Sequence, residues 1–141
     1  MYAVLRDADV TVQYAMDPAT GELTLLPGTA DGGLQPTAIT ISSAGTAAYV
    51  SAYNPIGNGN VAHFALNSLF HLVGPAEFTT DGLHPVDLSI DPSGRFLYVA
   101  NSGSNDVSVM QVDPLTGALT VSTPVASGLQ PAALVVTSIT Q

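Results

Sequence analysis

Asp91-Pro92-Ser93-Gly94-Arg95-Phe96-Leu97-Tyr98-Val99-Ala100-Asn101 joins a proline-glycine turn to an apolar and aromatic run. Proline presets the backbone of the second turn position, and glycine behind it takes conformations other residues avoid, so the stretch reads as a turn entering a β-strand. The same alternation continues outward. Gly103-Ser104-Asn105 precedes a strand at Asp106 to Val112, and Asp113-Pro114-Leu115-Thr116-Gly117 precedes one at Ala118 to Ser122. After Gln130-Pro131 the run Ala132 to Thr137 reads as a further strand. Near the other end Val10, Val12, Tyr14 and Met16 alternate with period two, and no window has helical periodicity.

Three markers recur at one interval. Gly33-Leu34-Gln35-Pro36 returns as Gly82-Leu83-His84-Pro85 and Gly128-Leu129-Gln130-Pro131, at spacings of 49 and 46 residues. Tyr2, Tyr49 and Tyr98 stand in short apolar runs at spacings of 47 and 49. Asp17-Pro18-Ala19-Thr20-Gly21-Glu22-Leu23 returns as Asp113 to Leu119 and is degraded in the middle to Asn67-Ser68-Leu69-Phe70-His71-Leu72. The chain is therefore one repeat domain, 1–141, of three units at about 1–47, 48–96 and 97–141. Four short strands in a repeat of roughly 40 to 50 residues are the sign of a β-propeller blade.

The expected class is all-β, with three four-stranded antiparallel blades. The phase of the markers starts the chain in the second strand of a blade, B, and ends it in an innermost strand, A, at Ala132 to Thr137. Those ends are complementary. A head-to-tail homodimer closing a six-bladed ring of about 29 kDa (2 × 14.4) is the expected assembly.

Composition removes several classes of partner. The 141 residues hold no lysine and two arginines, Arg6 and Arg95, against eleven carboxylates, for a net charge of -9. Nucleic acid and anionic membrane surfaces both require clustered cations, so neither is an expected partner. No cysteine is present, which excludes disulfides and thiolate metal sites. No apolar run approaches a membrane span, and the N-terminus lacks the basic and apolar regions of a signal peptide. A soluble chain of undetermined compartment is expected. The clusters Asn54 to Asn60 and Asn101 to Asp106 lack the ligand spacing of a calcium loop and read as hairpin loops. No metal and no cofactor are expected.

The run Asp91 to Asn101, followed by Asn105-Asp106-Val107-Ser108-Val109 and Asp113 to Leu119, resembles the YVTN-type repeat of the lactonase-like β-propeller superfamily. The resemblance spans the chain, strongest in the third unit and loosest in the second. It implies blades of a propeller whose relatives are mostly seven-bladed and range from 6-phosphogluconolactonases to surface-layer proteins. The turn before strand A lies at one mouth of the central channel, so Gln35, His84 and Gln130 are the candidate ligand-binding residues. A structural reading, in which these turns satisfy repeated backbone groups, competes with that one.

In the lactonases this turn continues Pro-Arg-His; here the continuations are Pro36-Thr37-Ala38, Pro85-Val86-Asp87 and Pro131-Ala132-Ala133. The glutamate that often follows the Tyr-Val-x-Asn strand is replaced by Ser102 after Asn101. No catalytic residue carries over. Period-two alternation would also turn His84 and Asp87 to opposite faces. The sequence thus favours a non-enzymatic scaffold or interaction module, a partial, engineered or evolutionary-intermediate propeller that does not hydrolyse anionic lactones. The alternative is a lactonase-like hydrolase, active once its propeller is complete.

Overall fold

A computed structural model of the chain describes residues 1–69, 71–121 and 123–137. Each turn signal ends a strand, and the strands collect into three antiparallel sheets. The first sheet runs β1 (Tyr2–Leu5), β2 (Val10–Met16), β3 (Leu23–Asp31). The second runs β4 (Pro36–Ile41), β5 (Ala47–Ala52), β6 (Asn60–Leu66), β7 (Leu72–Thr79). In the third, β8 (Pro85–Ile90), β9 (Phe96–Asn101) and β10 (Asp106–Val112) are followed by β11 (Leu119–Val121) and β12 (Val125–Ala126), both paired to β10. Neighbours in the chain are neighbours in the sheet, which is the meander of a propeller blade. A single 3-10 turn, Arg6–Ala8, interrupts the strands, and no helix among the described residues is long and apolar enough to cross a membrane.

The middle blade shows how sequence becomes packing. All six residues of β5 are buried, because this blade is covered on both faces. Ala47 and Tyr49 join Val61, Leu88, Leu97, Val99 and Met110 in the core between the second and third blades. Ala48 and Val50 join Ala62 and Phe64, with Val4, Ala30 and Ile39 beside them, in the core between the first and second. Period-two alternation here sorts residues between two cores rather than between core and water.

The pairing of the outermost strand is irregular in each blade. The register slips between Val12 and Tyr14 opposite β3, and between His63 and Ala65 opposite β7. In the third blade the gap between β11 and β12 does the same. Pro27, Pro75 and Pro124 sit at these slips. A proline cannot donate to a ladder, so it is tolerated on an edge and discourages edge-to-edge pairing.

The third outer strand is longer than the sequence reading, which closed it at Ser122, a position outside the described residues. A second correction concerns Ala132 to Thr137. The sequence reads an A strand there, yet residues 132–137 form no ladder. Strand propensity is realised only against a hydrogen-bonded neighbour, and no B strand of the same blade lies beside this segment. Its tie to the preceding blade is the Leu134 N–H donating to Asp87 Oδ2 at 2.7 Å.

Candidate functional site at the channel mouth

The connections entering strand A share one unusual backbone. Gln35, His84 and Gln130 have φ of 49°, 54° and 47°, a left-handed conformation uncommon outside glycine. Local hydrogen bonds hold it. The Gln35 N–H donates to Asp9 Oδ1 at 2.7 Å, and the Gln130 N–H donates to Asn105 Oδ1 at the same distance. The Gln35 carbonyl accepts from Tyr53 N at 3.0 Å; the His84 carbonyl accepts from Ser102 N at 3.0 Å and from Ser102 Oγ at 3.1 Å. The backbone groups of the turn are thus satisfied largely without the Gln and His side chains.

Those side chains enter a row that crosses two blade boundaries. Arg6, in the 3-10 turn after β1, donates from Nη2 to Gln35 Oε1 of the next blade at 3.2 Å. Its guanidinium also lies 5.5 Å from the centre of the Tyr53 ring, within cation–π range. Tyr53 follows β5 and lies against His84 of the third blade, ring centres 4.6 Å apart at 35°. Gln35, Arg6, Tyr53 and His84 therefore place an amide, a cation, a phenol and an imidazole in one row across the blade ends. No described contact joins the Gln130 side chain to this row.

Arg6 and Tyr53 are absent from the sequence-derived site, yet a signal for them exists. Arg6, Tyr53 and Ser102 each stand four residues after the strand-B tyrosine, Tyr2, Tyr49 or Tyr98. One position of the repeat thus supplies a side chain that meets the turn before strand A in every described blade. The register slips between Pro85 and Asp87, so the period-two argument that set His84 and Asp87 on opposite faces does not apply there. Asp87 accepts from the N–H groups of Leu88 and Leu134. Among the described residues no three His, Asp or Glu side chains converge on a point where a metal could sit.

The other histidines lie elsewhere. His71 is exposed in the degraded turn. His63 stacks on Tyr49, ring centres 5.3 Å apart, at the blade ends opposite the mouth. A Cβ at Gly117 would stand 2.5 Å from its Nε2, so the turn of the third blade caps it closely. Burial lowers the proton affinity of the imidazole. Asp113 lines the same cavity of about 280 Å³, its carboxylate held ionised by the N–H groups of Thr116 and Leu115.

The folded chain therefore binds the His63 proton less tightly than the unfolded chain. Its contribution to stability is full above the ordinary imidazole pKa of about 6.5 and is lost as pH falls below it. Denaturant unfolding between roughly pH 7 and pH 5 should show this loss, and His63→Val, which matches Val109 of the third blade, should flatten it. An unchanged slope in that variant would refute the assignment.

Comparison with known proteins identifies the family. A family model described as "Lactonase, 7-bladed beta-propeller" matches residues 20–136. A 6-phosphogluconolactonase of Formosa agariphila is 37% identical over 84 residues, covering 57% of this chain and 23% of that protein. Among solved structures, the periplasmic gluconolactonase of Pseudomonas aeruginosa superposes with a TM-score of 0.74 at 25% identity, over 92% of this chain and 37% of that one. A Bacteroides uniformis protein assigned as a 6-phosphogluconolactonase superposes with a TM-score of 0.81 at 21% identity, over 93% of this chain and 39% of that one, and supports the fold alone. The chain spans about a quarter of the curated relative and under two fifths of these structures.

These relatives overturn the scaffold reading. That reading looked for a cation only beside the proline of the turn, whereas Arg6 meets Gln35 from the neighbouring blade.

Proposed function

We propose, since this chain belongs to the family of seven-bladed lactonase β-propellers, that it contributes a lactone-hydrolysing site at the mouth built by Arg6, Gln35, Tyr53 and His84. The observation that carries the reading is the placement of a guanidinium and an imidazole against one tyrosine ring, at 5.5 and 4.6 Å from its centre. The names of the relatives at 37% and 25% identity support it.

Lactone hydrolysis adds water to the ring carbonyl carbon and breaks the ring C–O bond, so a proton must leave the water and another must reach the departing oxygen. Imidazole is the side chain suited to both transfers near neutral pH, and His84 is the imidazole of the mouth. Negative charge builds on the carbonyl oxygen as water adds. Arg6 is the cation available to offset it, and it also suits a carboxylate or phosphate on the substrate. Gln35 holds one arm of Arg6, which orients the fork.

The test is hydrolysis of gluconolactone and of 6-phosphogluconolactone, followed by base uptake. Saturable turnover that His84→Ala abolishes is the expected result. Turnover equal to the uncatalysed rate for both lactones would defeat the reading.

For the 141-residue chain on its own, we further propose that a second copy completes the ring. Met16, Leu23 and Leu25 of the first sheet are 58, 43 and 59% exposed, and Val135 beyond the third is 84% exposed, so both ends leave apolar surface open to association. Two copies supply six blades, within the usual range of about four to eight. Light scattering should give about 29 kDa (2 × 14.4), and removal of residues 132–141 should give the monomer. A folded monomer at micromolar concentration would refute the ring.

A further inference from the structure

We propose that Tyr53 is a positioning residue of the mouth, whose ring fixes the place of the His84 imidazole and steadies the Arg6 guanidinium at the same time. The inference rests on the mouth being the catalytic site, but its geometry is independent of any substrate. Tyr53 is itself fixed at both levels. Its N–H donates to the Gln35 carbonyl at 3.0 Å, and Gln35 is in turn held by Asp9, so the start of the side chain is set by the blade. Its ring meets His84 at 4.6 Å and Arg6 at 5.5 Å.

A second wall confines the imidazole. A Cβ at Gly103 would stand 2.7 Å from His84 Nδ1, so backbone lies close to that nitrogen. Between the Gly103 backbone and the Tyr53 ring the imidazole has little room to turn. The repeat makes this specific to one blade boundary. Arg6 occupies the position of Tyr53 one blade earlier and meets Gln35, and Ser102 occupies it one blade later with a side chain that bonds the His84 carbonyl. Of these three equivalent residues, Tyr53 alone brings an aromatic face to a histidine.

Side-chain NMR of the 141-residue chain tests the role without a substrate. In Tyr53→Leu the ring-proton resonances of His84 are expected to move toward those of a solvent-exposed histidine, because the aromatic ring beside them is gone. In Tyr53→Phe they should stay near their original positions. The His63 resonances, set by Tyr49 at the far end of the blades, report that each variant is folded. Should Tyr53→Leu fail to fold, Tyr53→Met serves instead, since it too removes the aromatic ring beside His84 and is expected to shift the same resonances.

In the lactone assay Tyr53→Leu should lower kcat by about ten- to a hundredfold and move KM less, with Tyr53→Phe restoring most of the loss. Unmoved His84 resonances in folded Tyr53→Leu would overturn the proposal. A wild-type chain that turns over no lactone, yet shows the resonance shifts, would overturn the lactonase reading and leave Tyr53 in its positioning role.

Discussion

Replacing Arg6 by methionine should lower kcat/KM for lactone hydrolysis by about a hundredfold or more, the range seen when a group that stabilises a developing oxyanion is removed. The fold should survive. Arg6 is exposed, and its described ties are a hydrogen bond to Gln35 and a contact with the Tyr53 ring, both at the surface. Exposed interactions of this kind contribute little to stability. The chain provides its own control, since its other cation, Arg95, lies in the turn before β9 rather than after the matching strand, at the opposite blade ends. Arg95→Met should leave hydrolysis unchanged. Arg6→Lys keeps the charge and loses the planar fork held by Gln35, so its activity should fall between the two. Equal activity in wild type and Arg6→Met would remove Arg6 from the site.

Gly82→Ala should be the most damaging single methyl group in the chain, costing about 3 to 5 kcal/mol in denaturant unfolding. The new Cβ would stand 2.1 Å from Asn101 Nδ2 and 2.3 Å from its Cγ, closer than atoms can approach. Asn101 has no room to yield. It is fully buried, and its Nδ2 donates to Asp106 Oδ1 and Ser108 Oγ, each at 2.8 Å. Ser108 Oγ donates in turn to the Thr80 carbonyl, and Thr80 Oγ1 bonds the Gly82 carbonyl at 3.1 Å. Displacing Asn101 therefore adds lost hydrogen bonds to steric strain. The loss would be a large share of a total stability on the order of 5 to 15 kcal/mol. In the double variant with Asn101→Ala the contacts with Nδ2 and Cγ disappear and a 2.9 Å approach to the Cβ of residue 101 remains, so the two losses should combine to less than their sum. Simple additivity would show that the two residues do not press on each other. The same pair recurs one blade earlier, where a Cβ at Gly33 would stand 2.9 Å from the Cβ of Ala52.

The blades were legible in the residues because their signals are local. An aspartate that caps a turn acts within a few positions: Asp113 accepts from Leu115 and Thr116, as Asp17 does from Ala19 and Thr20. The degraded middle turn keeps the device with Asn67, which accepts from Leu69 and His71. Apolar runs between such turns become strands almost wherever they fall, so fold class and strand order follow from the sequence. Gln35 and His84 were found the same way, by their repeated place beside a proline.

What the chain does was not legible, because the groups that meet at the mouth belong to different blades. Arg6 and Gln35 are 29 residues apart, and Tyr53 and His84 are 31 apart; nothing in either pair marks them as partners until two sheets stack. The same holds for His63 under Gly117 and for Gly82 against Asn101. The segment 132–137 shows the converse, since its residues favour a strand but no neighbour is present to pair with it. Turn and strand preferences are properties of a few consecutive residues. Contacts between side chains, and the hydrogen bonds of a ladder, exist only where packing brings distant segments within a few ångströms.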